Sequence, residues 1–183
     1  QSDAAILVGV DVERLMQGST YRLVRSLLHC RVPVVAAVHG AAAGIGLTLA
    51  LGADVCVAAD DARFIGSFVQ RALVPDGAVA RLLPRIIGYA RAREFLLLGQ
   101  SIDAQEAVAL RMIARAVPAD ELLTSALGTA REFVALPTAT LALTKQLLNR
   151  SFELDLESFL FEERALQALV STTADKAEGV AAF

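Results

Sequence analysis

Apolar positions dominate the chain and change their period several times along it. Ala4–Val8 (AAILV) is a short continuous apolar run, which predicts a buried strand. Asp11–Cys30 switches to the helical period, and Leu15, Tyr21, Val24, Leu27 and Leu28 can share one face. Val32–Val38 returns to β-branched residues and alanine and predicts a second strand. It runs into Gly40, Gly44, Gly46 and Gly52, with Leu47–Leu51 reading as the opening turns of an apolar helix that stops near Gly52. Val55–Ala58 predicts a third strand and Arg63–Phe64 part of a fourth, while Leu73–Gly77 (LVPDG) is a turn with Pro75 well placed. Helical signals follow: Arg81–Ile87 ending at Gly88, Ala90–Leu98 closed by Gly99, and Asp103–Leu110 with Asp103 as N-cap. Ala116–Val117 is a short strand, and Asp120–Ala135, Thr138–Ser151 and Leu156–Ser171 are further helices. Strands come early and helices late, so the pattern predicts an α/β fold with a helical tail and no internal repeat.

The chemistry concentrates between Val34 and Asp54, in VVAAVHGAAAGIGLTLALGAD. A strand, a glycine turn and a helix in that order leave backbone N–H groups at a helix N-terminus without intrahelical partners. Such a terminus carries about half an elementary positive charge. It suits a phosphate, a carboxylate or a developing oxyanion.

Composition narrows the partners. At 183 residues the chain has the length of one domain and can bury a substantial core, and 55% of it is apolar. No apolar run of membrane-spanning length is free of charges or glycines, so no membrane segment is expected. The opening QSDAAILV shows no basic region and no cleavage pattern, from which a cytoplasmic location is expected. A net charge of −3 without basic clusters argues against a nucleic-acid partner. Cys30 and Cys56 sit in apolar surroundings and read as core thiols. With His29 and His39 as the only histidines and no Cys/His cluster, no metal site is expected.

Two families write a turn close to GAAAGIG. With GADV and the acidic pair Asp60–Asp61 it resembles the nucleotide-binding turn of short-chain dehydrogenases, but that chemistry requires a downstream Tyr-x-x-x-Lys. Tyr21 lies upstream and the fourth residue after Tyr89 is Arg93. No Gly-Lys-Ser/Thr follows the turn, which excludes a Walker loop. The chain is also similar to the crotonase (enoyl-CoA hydratase/isomerase) superfamily, and there the likeness extends over nearly everything from Val32 on. VVAAVHGAAAGIG, VPDG (Val74–Gly77), LLPRIIG (Leu82–Gly88), ARAREFLLLGQSIDAQEA (Ala90–Ala107) and EGVAAF (Glu178–Phe183) resemble crotonase segments in their usual order and spacing. Within the superfamily the wording looks most like the phenylacetate-degradation enoyl-CoA isomerases, of the 2-(1,2-epoxy)phenylacetyl-CoA isomerase type.

The resemblance implies a crotonase-like ββα spiral core over residues 1–120 and a C-terminal helical oligomerisation segment over 121–183. Crotonases carry strands upstream of AAILV and a loop where Val8 here meets Gly9. A longer chain that contains them is expected, because a sheet without its first strands would expose an edge. The resemblance also implies an acyl-CoA thioester substrate, with coenzyme A entering as part of it and no separate cofactor. Val10 and Ile45 are then the residues whose amides form the oxyanion hole, and Gly44, Gly46, Asp11, Thr48 and Phe68 fall around the substrate.

Hydratases of this family use two glutamates. Residue by residue, their positions fall here on Thr48 and Phe68, neither of which ionises at neutral pH. Asp76, in VPDG, falls where the resembling isomerases bear their proton-shuttling carboxylate. One carboxylate suffices for a double-bond shift, since it can take a proton at one carbon and return it at another. Apolar surface from Phe68, Leu73 and Val74 is expected around it. Read without the family, Pro-Asp-Gly is an ordinary turn. Thr48 is expected to back-bond within its helix, His39 to pack or hydrogen-bond beneath the turn, and Lys145 to lie near coenzyme A. Arg81 and Arg85 are candidates for coenzyme A phosphates, a subunit contact or plain solvation. Isomerisation is favoured; hydration, thioester hydrolysis and a catalytically silent scaffold on the same fold stay open. Leu154, Leu156, Phe159, Leu160, Phe161, Leu166 and Leu169 exceed what one small domain easily hides, and with the resemblance they predict a homotrimer or hexamer.

Overall fold

The computed structural model describes Gly18, residues 20–173 and Lys176. The expected strand Ala4–Val8, the first half of the Asp11–Cys30 helix, Val10, Asp11 and the EGVAAF segment lie outside the described residues. Helix α1 spans Tyr21–Leu28. Its Val24 is buried, while Tyr21, expected on the same face, is 49% exposed.

The chain then repeats one unit. Strand β1 (Val35–Val38) turns at Gly40 into β2 (Ala41–Ala43), followed by helix α2 (Ile45–Gly52). Strand β3 (Val55–Ala59) turns through Asp60–Ala62 into β4 (Arg63–Ile65), followed by a 3₁₀ turn at Val69–Arg71 and helix α3 (Val79–Ile87). In each unit the first strand joins one sheet and the second joins another. The first sheet has the parallel order β1-β3-β6, with Val35 opposite Val55 and Val57 opposite Arg115. The second is ordered β2-β4-β5, with Ala41 opposite Arg63 in parallel and Phe64 opposite Ile102 antiparallel. Gly40 makes the corner at φ +70°, a region that favours glycine, and its carbonyl accepts from Arg63 N–H at 2.9 Å. Helix α4 (Tyr89–Leu97), strand β5 (Ser101–Asp103), helix α5 (Ala104–Ala109) and strand β6 (Arg115–Val117) complete the two sheets.

Two strands escape the sequence pattern. The alanines of β2 read as part of the glycine turn, and Ser101–Asp103 reads as the lead into a helix. Both are three residues long and are strands only because β4 stands between them. The helix starts shift less: α2 begins at Ile45, two residues before the apolar run, and Asp103 caps α5 as expected by accepting from Glu106 N–H at 2.8 Å.

The core sits between the sheets and α2, α3 and α4. Leu47, Val57, Phe64, Val79, Leu83 and Phe95 are fully buried, each contributing about 1.5–3 kcal/mol relative to exposure. Helix α6 (Leu122–Val134) packs on β1 and β3 and places Leu122 in this core. Helices α7 (Thr138–Arg150) and α8 (Leu156–Val170) pack on each other; α7 buries only Lys145, and α8 buries no residue fully.

Candidate active site

The opening of α2 is built by the glycine turn. Gly44 stands at its N-cap with φ +52° and ψ −123°, a conformation that a β-carbon would strain. Its carbonyl already accepts from Leu47 N–H at 3.1 Å and Thr48 N–H at 3.2 Å. No side chain caps the helix. Among the described residues the amides of Ile45 and Gly46 therefore have no partner, as the first amides of a helix do where they can receive an anion. Ile45 itself is 37% exposed.

The loop that carries Asp76 lies against this first turn. Gly77, at φ +59°, approaches so closely that a β-carbon there would meet Thr48 Oγ1 at 2.5 Å and Ile45 Cδ1 at 3.4 Å. Only glycine permits that approach. Ala72 and Ala78 flank the loop in the left-handed region, at φ +55° and +68°. Each costs about 1–2 kcal/mol, strain of a kind that gathers at functional sites. The Asp76 carbonyl accepts from Val79 N–H at 3.2 Å, so the loop also starts α3. Asp76 itself is half-buried.

The surroundings of Leu73, Val74, Thr48 and His39 differ from those expected. Phe68 is buried, but Leu73 is 58% and Val74 84% exposed, because the Gly77 contact turns the loop outward before Asp76; these two do not enclose the carboxyl. Thr48 is fully buried, and its Oγ1 has no hydrogen-bond partner among the described residues; it faces Gly77 instead of back-bonding along α2. His39 is exposed at the sheet corner rather than packed beneath the turn. Arg81 is paired with Glu153, and the Arg85 guanidinium lies 5.4 Å from the centre of the Phe152 ring. Lys145 is buried and donates to Asp54 Oδ2 at 2.6 Å. Asp54 went unremarked in the sequence; an acid directly after an apolar helix was its one signal. Cys56 is buried in β3, and burial pushes its thiol up to about 12; Cys30 is half-buried, and both are free thiols. Among the described residues no group of three His, Cys, Asp or Glu side chains is placed to hold a metal, and no helix is long and apolar enough to cross a membrane.

A cavity of about 920 Å³ opens between α1, α3, α7 and the end of α8, and none of Gly44, Ile45, Thr48, Phe68 or Asp76 lines it. The candidate groups lie elsewhere: the amides of Ile45 and Gly46, unpaired among the described residues, with the Asp76 loop against them. That arrangement can hold developing negative charge on a carbonyl oxygen and move a proton nearby.

Two sheets fed in turn by paired strands, with a helix after each second strand, define a crotonase-type α/β fold. The chain belongs to the enoyl-CoA hydratase/isomerase family, whose model matches residues 7–183. It is 40% identical over 176 residues to the 1,2-epoxyphenylacetyl-CoA isomerase of Escherichia coli K12, covering 96% of this chain and 66% of that protein. It is 34% identical over 165 residues to the mitochondrial methylglutaconyl-CoA hydratase of Rattus norvegicus, covering 88% of this chain and 52% of that protein. Among solved structures, an enoyl-CoA hydratase from Polaromonas sp. JS666 superposes with a TM-score of 0.88 at 33% identity, over 96% of this chain and 68% of that one. The chain thus spans about half to two thirds of the length of these relatives.

Proposed function

We propose that the protein shifts a double bond in an enoyl-CoA thioester. The observation that carries the reading is the seating of the Asp76 loop, through Gly77, on the turn of α2 whose amides are unpaired. In this reading the Ile45 amide, with that of Val10, receives the thioester oxygen as Asp76 removes a proton from the carbon next to the carbonyl or its vinylogous position. The charge moves onto the oxygen as an enolate, and the same carboxyl returns the proton at the other end of the allyl system. Each oxyanion donor contributes about 2.7–4 kcal/mol in sites of this kind. Gly44 and Gly46 admit the backbone of the site close to the substrate, with Asp11, Thr48 and Phe68 around it. Thr48 and Phe68, standing where hydratases of the family carry glutamates, leave no second acid–base group at those positions, which supports isomerisation over hydration. Coenzyme A arrives with the substrate, and no other cofactor is required.

The reading extends to assembly and place. The helices of 121–183, of which α6 also covers the first sheet, are proposed to join copies into a trimer or hexamer in the cytoplasm. A panel of enoyl-CoAs followed by absorbance and mass tests the chemistry. Isomerisation changes absorbance at constant mass, hydration adds a water, hydrolysis frees coenzyme A, and a silent scaffold changes nothing. Added water or freed coenzyme A as the main product would overturn the proposal.

A further inference from the structure

The segment Val34–Asp54 is a closed loop, and its base is tied by a charge pair whose lysine is buried. Asp54 N–H donates to Val34 O at 2.9 Å, Val55 N–H reaches the same carbonyl at 3.3 Å, and Val34 N–H donates back to Asp54 Oδ2 at 2.7 Å. Lys145, from α7, donates to that same Oδ2 at 2.6 Å and to Val32 O at 3.4 Å. The lysine side chain is only 9% exposed and the aspartate 27%. Removing the aspartate leaves a buried ammonium uncompensated.

What this knot holds is the candidate oxyanion helix. Asp54 follows the last residue of α2 by one position beyond its C-cap, Ala53. The helix is about 12 Å long at 1.5 Å per residue and moves as a stiff unit. Leu47, Ala50 and Leu51 hold it in the core and Gly77 lies against its first turn, but neither of its ends has a side-chain hydrogen bond. Asp54 adds the polar tie just past its C-terminal end, and a stiff helix carries a shift there through to the Ile45 and Gly46 amides. A shift of about 1 Å in a catalytic geometry costs about 100-fold in rate.

We infer that Lys145 is a positioning residue: through Asp54 it fixes the axial position of α2 and hence the aim of the oxyanion amides. The inference rests on the proposed enolate chemistry, so the test carries a readout apart from turnover. A para-dimethylaminocinnamoyl-CoA thioester absorbs further to the red when its carbonyl is polarised, and its spectrum reports the amides without any reaction. Lys145→Met is expected to lower kcat by about 10- to 100-fold with KM nearly unchanged, and to shrink the red shift. Lys145→Arg, which keeps the charge and a donor, is expected to restore most of both. The double variant Lys145→Met with Asp54→Asn leaves no unpaired charge, so it keeps the test open where the single variant fails to fold. It is expected to remain impaired, because the tie is still missing. Recovery of kcat and red shift in the folded double variant, or their retention in folded Lys145→Met, would overturn the inference. A wild-type chain that neither shifts a double bond nor reddens the probe would overturn the functional proposal instead.

Discussion

At the scale of single residues, Asp76 separates the catalytic reading from the plain turn. Asp76→Asn keeps the size and a hydrogen-bonding side chain but cannot accept and return a proton. It is expected to leave acyl-CoA affinity nearly intact and to lower kcat by about 10²–10⁴-fold in steady-state assays. Thr48→Val should cost far less, since its hydroxyl has no partner to lose among the described residues. Near-normal turnover in a folded Asp76→Asn protein would reduce Asp76 to a turn residue, for which asparagine is equally suited. Cys56 supports a second test. Its thiol, raised by burial from 9.0 to about 12, keeps its proton in the folded chain while the unfolded chain gives it up above 9.0. The unfolded state then binds fewer protons, so stability falls as pH rises through that window, by about 1.4 kcal/mol per pH unit. Urea unfolding on both sides of pH 9.0 should show this slope in the wild type and a flatter one in Cys56→Ala.

At the scale of elements, caps and corners carry the information. Asp103 ends β5 and caps α5, so it joins the second sheet to the helix that leads into β6. Asp103→Ala is expected to cost about 1 kcal/mol in thermal or urea unfolding, with turnover unchanged. The elements with such local signals were legible: α4, α5 and the three long C-terminal helices match their predicted spans to within about two residues, as boundary fraying allows. Strands β2 and β5 were not, because three-residue strands are held by their neighbours rather than by their own propensity.

At the scale of the whole molecule, α8 leaves large apolar side chains exposed. Leu156, Leu160, Phe161 and Leu169 are 68%, 45%, 66% and 56% exposed, a concentration of large apolar side chains on one helix that suits a subunit contact. Light scattering at micromolar concentration is expected to give an oligomer, and Phe161→Glu to shift it toward monomer. A stable wild-type monomer would count against assembly through this helix.

Periodicity and glycine placement alone determined the α/β class, the order of most elements and the strand–turn–helix at Gly44, because each rests on local backbone preferences. The same local reading found Asp76 as a turn acid and Ile45 as an amide between glycines. It could not tell that Gly77 presses the Asp76 loop onto Thr48, nor that Leu73 and Val74 point away. It gave no sign that Lys145 grips Asp54, 91 positions away along the chain. Contacts of that kind depend on how distant segments pack, so only the tertiary structure decides them: a buried ammonium goes to whichever carboxylate the fold delivers.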